Sequence, residues 1–207
     1  IMTLYIVFDY IKKEKLNYED EMLVSSTAAS RSPSKLYLEA GSKIKVRDAI
    51  NALIIKSAND VATVVAENIS GSEKEFAKLM TKYARNIGMK HTTFKNASGL
   101  PNRAQLTTAR DIYKLSYALI KNYPEEYKLF SQTSFTWNGK VYKTHNKLML
   151  TYNGADGIKT GYIKASGFQL AFSAVRDGKR VIGVYFGGDT GKQRNDRLKF
   201  YMDNAFK

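Results

Sequence analysis

The sequence predicts an α+β fold built around an antiparallel sheet. Apolar residues recur at helical spacing through the middle of the chain. Two hairpin signatures sit in its last third. Nowhere do strands and helices alternate as a parallel sheet would require.

The opening run, Ile1 to Phe8, reads as a helix with Leu4, Phe8 and Ile11 on one face. It has no capping residue ahead of it, so more protein is expected before Ile1. The run is far shorter than a membrane span, which takes about 20 residues. No transmembrane segment and no lipidation motif is visible elsewhere. Residues 17 to 45 mix Ser, Pro and Gly with short apolar stretches, and read as loops with short strands. Residues 46 to 56 form a buried helix, and a break at Ser57-Ala58-Asn59 leads to another, from Asp60 to Asn68. Ser72 and Glu75 form a capping box before Phe76, Leu79, Met80 and Tyr83, with Gly88 as the stop. Thr108 and Asp111 repeat that logic before Ile112, Leu115, Tyr117 and Leu119. Asn138-Gly139 turns one hairpin and Asp177-Gly178 a second, longer one. Residues 157 to 163 supply a strand ahead of the second hairpin. Residues 193 to 206 close the chain as an amphipathic helix, with Leu198, Tyr201 and Met202 on its apolar side.

Composition narrows the chemistry. The 207 residues are 43% hydrophobic, enough for a real core and against disorder. The absence of cysteine removes disulfides, thiolate metal sites and cysteine nucleophiles. The two histidines, His91 and His145, have no partner at helical spacing, which argues against a zinc hydrolase. A net charge of +14 raises a nucleic-acid partner. The lysines are scattered, however, and no nucleic-acid-binding signature accompanies them, so none is expected.

Two tripeptides carry the chemistry: Ser57-Ala58-Asn59 between two apolar helices, and Lys159-Thr160-Gly161 on a strand. Taken singly, the first reads as a helix cap with Asn59 at the N-terminus, and the second as a solvated lysine before a turn. Together they resemble two members of the S-x-x-K, S-D-N and K-T-G signature set, with Ala58 in place of the aspartate. Longer stretches extend the match: Ser57 to Ala62, Asn96 to Pro101, Thr107 to Asp111, Asp156 to Tyr162, and Ser173 to Gly178. Across essentially its whole length the chain resembles the D-alanyl-D-alanine carboxypeptidases, the low-molecular-mass penicillin-binding proteins.

The resemblance implies a β-lactamase/transpeptidase-like fold, an antiparallel sheet flanked by a helical cluster, over residues 1–207 as one N-terminally incomplete domain. It implies acyl transfer without a cofactor or metal, on the pentapeptide stem of peptidoglycan, with β-lactam antibiotics as covalent inhibitors. Ser57 would relay a proton to the leaving amine, and Asn59 would orient the base and bind the substrate amide. Positions i and i+2 of an extended loop point the same way, so both are expected to face one cleft. Lys159 would meet the terminal carboxylate, aided by the Thr160 hydroxyl. Gly161 would keep the strand edge bare, and the Tyr162 N–H would serve half of an oxyanion hole. Lys159 and Thr160 alternate along a strand, so an edge position or local twist must bring both to the cleft. His145 is a candidate substrate contact. Arg194 fits a solvated helix face better than a carboxylate contact.

The family's nucleophilic serine and basic lysine stand in a Ser-x-x-Lys pattern. Ile1-Met2-Thr3 resembles the family's residues just after that lysine, so the pattern is expected immediately before Ile1. Ser32-Pro33-Ser34-Lys35 matches as a string. It reads as a loop with no helix after it and is rejected as the nucleophile. A class A-like β-lactamase would need a deacylating glutamate, for which Pro124-Glu125-Glu126 is a poor fit. A non-catalytic peptidoglycan-binding relative is the remaining alternative. The substrate implies an extracytoplasmic, periplasmic location, with peripheral membrane association through a segment outside these residues.

Overall fold

A computed structural model describes all of residues 1–207. Its helices gather around the larger of two apolar cores, and its late strands form a sheet between the two. Helix α1 (Met2–Lys12) is buried from Met2 through Asp9 on every side, more widely than the single face expected. It packs against α4 (Asn59–Ser70) and α5 (Glu73–Asn86), so no side of its first two turns meets water. Residues 17 to 45 hold the short pair β1 (Glu21–Leu23) and β2 (Lys43–Lys45), with Met22 opposite Ile44. The short helix α2 (Ser26–Ala29) lies between them.

The buried helix expected over 46 to 56 is α3 (Val46–Asn51) running into a π-helical turn, Ala52–Lys56. Ser57 then takes left-handed angles, φ 56° and ψ 45°, and the chain turns into α4. A non-glycine residue there costs about 1–3 kcal/mol, and such strain concentrates at functional sites. It also means that Ser57 to Asn59 is not the extended loop expected.

Capping follows the sequence with one difference. The Ser72 hydroxyl accepts the Glu75 N–H at 3.2 Å. The Glu75 carboxylate does not return the bond, because it pairs with Lys78 at 2.7 Å. Thr108 caps α6 (Ala109–Asn122) through the Asp111 N–H at 3.1 Å. On α6, Tyr117 is exposed, since it lies two residues from both Leu115 and Leu119 and so faces away from them. The short helix α7 (Pro124–Tyr127) comes next.

Both hairpins form as expected. Strands β3 (Ser134–Trp137) and β4 (Lys140–Lys143) join through Asn138 and Gly139, at φ 46° and 73°. Strands β6 (Gly167–Arg176) and β7 (Lys179–Gly188) join through Asp177 and Gly178, at φ 49° and 74°. Two positive φ values in succession give the turn that suits the strand twist. Strand β5 (Ala155–Ile163) pairs with β6, so the sheet order is β5-β6-β7 and β5 is an edge. On one face Leu170, Phe172 and Ala174 pack on Leu198 and Met202 of α8 (Gly191–Phe206). On the other, Ala171 joins the core under the helical cluster. Tyr201, expected on the apolar side of α8, is exposed and meets Phe200 edge-on. No helix is long and apolar enough to cross a membrane.

Asp60 ties the start of α4 to the loop beside it. Its fully buried carboxylate accepts N–H bonds from Leu36 at 3.0 Å, Leu38 at 3.2 Å and Val61 at 2.9 Å. Asp60→Ala leaves those donors without water or partner and is expected to cost about 3 kcal/mol. Urea unfolding of the full-length protein measures it, and an unchanged midpoint would remove Asp60 as an anchor.

Candidate active site

A cavity of about 1180 Å³ opens between the helical cluster and the edge of the sheet. Ser57, Asn59, His145, Lys159, Thr160, Gly161 and Tyr162 all line it. Residues separated by up to 105 positions in sequence thus converge on one space.

Ser57 and Asn59 enter from the α3–α4 junction. Asn59 is the first residue of α4 and makes no capping bond, unlike the cap read from the sequence alone. Its side-chain amide donates to the Ser32 carbonyl at 2.9 Å, and its backbone N–H donates to the Ser34 carbonyl at 2.7 Å. The Ser34 hydroxyl closes the clamp on the Lys56 carbonyl at 2.9 Å. The left-handed turn, rather than an extended strand, therefore brings Ser57 and Asn59 to the same cavity.

Lys159, Thr160 and Gly161 enter from β5. Lys159 lies opposite Ala171, which faces the helical core, and Thr160 lies opposite Leu170, which faces α8. Successive side chains thus point to opposite faces, as a strand requires. Both reach the cavity because β5 is an edge and the cavity wraps around it. The base of β5 is held firmly. Asp156 accepts from the Tyr127 hydroxyl at 3.1 Å and pairs with Arg180 at 2.6 Å, beside a register shift between Ala155 and Gly157. A Cβ on Gly161 would meet Gln169 only in ordinary contact, at 3.6 Å. Internal packing does not demand glycine there.

The cavity is strongly cationic. The Lys159 ammonium donates to the Thr160 carbonyl at 3.0 Å. Desolvation, reinforced by the charge of Arg194, pulls its pKa down to about 8. Arg194 is 5% exposed and lines the cavity, not the solvated face expected from sequence. The helical pattern could not place it, because its burial depends on how α8 packs against β6, whose Gln169 carbonyl it reaches. Arg194 donates to the Gln169 carbonyl at 3.2 Å and to Asn195 Oδ1 at 2.9 Å. The partners of Lys159 and Arg194 are thus carbonyl oxygens, with no carboxylate among them. Asp196, a carboxylate on the lining, is already paired with Lys192 at 2.6 Å. At the rim the His145 imidazole loses basicity through desolvation first, then through the charges of Lys159 and Lys56.

The turn from Asn96 to Pro101 forms another wall. The Asn96 side chain holds it, accepting the Gly99 N–H at 2.7 Å and donating to the Leu100 carbonyl at 2.8 Å. Thr3 of α1 reaches the Ala97 carbonyl at 2.7 Å. Ser32 stays outside the cavity, and Lys35 turns away to the Ala29 carbonyl at 3.0 Å. Glu125 and Glu126 lie on α7 away from the cavity, with Glu125 paired to Lys128. No cluster of three or more His, Asp or Glu side chains could hold a metal ion.

Comparison with known proteins identifies the family. The family model described as D-alanyl-D-alanine carboxypeptidase matches residues 1–190. The chain is 35% identical over its whole length to D-alanyl-D-alanine carboxypeptidase DacF of Bacillus subtilis, covering 54% of that protein. It is 35% identical to DacC of Escherichia coli over 97% of the chain and 50% of that protein. The chain therefore spans about half the length of these curated relatives. Its fold superimposes on the crystal structure of DacD from Francisella tularensis with a TM-score of 0.97. That match has 30% identity and covers 100% of this chain and 62% of the other. Penicillin-binding protein D2 of Listeria monocytogenes, solved in an ampicillin-bound form, matches at 0.89 with 29% identity, covering 100% and 84%. By the matched family model and by this identity along its length, the chain belongs to the D-alanyl-D-alanine carboxypeptidase family.

Proposed function

We propose that this chain forms one penicillin-binding domain of a serine-type D-alanyl-D-alanine carboxypeptidase. The observation that carries the reading is a desolvated Lys159 beside Arg194, sharing one cavity with Ser57 and Asn59 and with no anion to meet. Such a cavity suits the terminal carboxylate of a peptidoglycan stem peptide, and β-lactams that carry a carboxylate in the same relation to the reacting carbonyl.

The nucleophile and its base belong to a Ser-x-x-Lys segment ahead of Ile1, which itself lines the cavity. The serine oxygen attacks the carbonyl between the two D-alanines while the lysine takes its proton. The C–N bond breaks, the terminal D-alanine leaves as an amine protonated through Ser57, and water hydrolyses the remaining ester. Asn59 holds the base and the substrate amide. Lys159, the Thr160 hydroxyl and Arg194 bind the carboxylate, and the Tyr162 N–H stabilises the oxyanion. Gly161 leaves room for the substrate backbone along the β5 edge, and His145 contacts substrate at the rim. This work is extracytoplasmic, and a net charge of +14 suits a protein beside anionic wall polymers and lipid headgroups, in peripheral contact with the membrane.

The full-length protein is expected to take up fluorescent penicillin on a serine ahead of Ile1, mapped by mass spectrometry. A label on Ser32 would overturn the assignment. Lys159→Ala in the full-length protein is expected to lower kcat/KM on a D-Ala-D-Ala peptide about 10- to 100-fold, mostly through KM, as loss of a charge-assisted bond does. Unchanged kinetics would take Lys159 out of the site. Carboxylate binding needs the charged ammonium, whose pKa is lowered to about 8. Binding is therefore strong below that pH and fades above it. A bound carboxylate favours the charged form, so the alkaline fall in kcat should lie at higher pH than the fall in kcat/KM. Coincident limbs would count against Lys159 as the carboxylate partner.

A further inference from the structure

Tyr162 comes directly after Lys159-Thr160-Gly161, and its ring has no assigned part in the chemistry. The side chain is 58% exposed although it is a large aromatic group on the cavity lining. Its cross-strand partner is Phe168, and the two rings lie 4.4 Å apart at 37°. One side of the Tyr162 ring is thus braced on a second aromatic ring while the rest stays open.

The strand alternation places this pair. Thr160 and Tyr162 are two residues apart and share the α8 face of the sheet, opposite Leu170 and Phe168. The start of α8 lies against Phe168. A methyl group placed on Gly191 would sit 3.7 Å from Phe168 Cδ1 and 3.9 Å from Arg194 Nη2. The aromatic pair, the Thr160 hydroxyl and the Arg194 guanidinium therefore bound the same end of the cavity.

We infer that the Tyr162 ring, braced by Phe168, is the wall against which the side chain of the substrate's terminal residue packs. The inference rests on the carboxypeptidase reading, in which Thr160 and Arg194 take the terminal carboxylate. The group attached next to that carboxylate is the side chain of the terminal residue, and in D-alanine it is one methyl. A rigid aromatic face at that place rewards the methyl over hydrogen and leaves little room for a larger group. One methyl group in a well-formed apolar site is worth roughly 10-fold or more in kcat/KM.

The test uses the full-length protein and diacetyl-lysyl tripeptides ending in D-Ala-D-Ala, D-Ala-Gly and D-Ala-D-Leu. The unsubstituted protein is expected to prefer the peptide ending in D-alanine over both others. Tyr162→Ala should lower the D-Ala to Gly ratio of kcat/KM about 5-fold or more and raise relative cleavage of the D-Leu peptide. Tyr162→Phe, which keeps the ring, should hold the unsubstituted ratios. Penicillin labelling of each variant shows that it is folded. Ratios unchanged in Tyr162→Ala, with turnover and labelling present, would overturn the wall alone. A Tyr162→Phe variant as altered as Tyr162→Ala would also overturn it, since the ring would then not be the determinant. Failure of the unsubstituted protein to cleave any peptide or take up penicillin would overturn the carboxypeptidase reading, and this inference with it.

Discussion

A lysine ammonium drawn out of water with no carboxylate beside it is held against its own solvation free energy. Lys159 is in that position, and the rest of the molecule is arranged to keep it there. Lysines away from the cavity meet carboxylates at the surface, as Lys43 does Glu21 and Lys128 does Glu125. Around Lys159 the protein supplies a carbonyl acceptor and a second cation, Arg194. An anion entering the cavity relieves a repulsion already present. The free energy withheld from folding is then available for binding, and it favours ligands that end in a carboxylate.

Holding such a charge requires a stiff frame, and acids build it at a distance from the cavity. Asp60 gathers backbone donors from the loop beside Ser57 and Asn59. Asp156 locks the base of β5 through Tyr127 and Arg180, three residues before the lysine. Asp111 ties α6 to the segment at Thr92 with bonds of 2.8 Å from that hydroxyl and from the His91 N–H. Asp9 binds Tyr83 and Tyr123 and fixes α1 in the core, and burial, reinforced by Asp9, pushes both phenols well above the usual tyrosine range. These four acids are thus spent on scaffolding, and the cavity keeps its positive charge.

Much of this was legible in the residues because it depends on local rules. Asn138-Gly139 and Asp177-Gly178 accept positive φ, so their turns and the registers beyond them result. Ser72 and Thr108 cap because a short side-chain oxygen reaches an N–H three residues on. The faces of helices were less legible. Tyr117 and Tyr201 are apolar enough to be read inward, yet which part of a helix is covered depends on its packing neighbours. Helix α1 is the converse, since neighbours on every side bury residues that periodicity would leave outside.

Residue type and spacing were enough for the two tripeptides, their order and the strand that carries the second, and the longer resemblance pointed to the family. How these parts meet was settled by packing in three dimensions. The left-handed turn at Ser57 comes from a π-helical ending that no propensity encodes. The burial of Arg194 comes from the packing of α8 against the sheet. The access of both Lys159 and Thr160 to one cavity comes from β5 being the last strand of its sheet. Strand alternation sends neighbouring side chains apart, and only an edge lets a single cavity reach both.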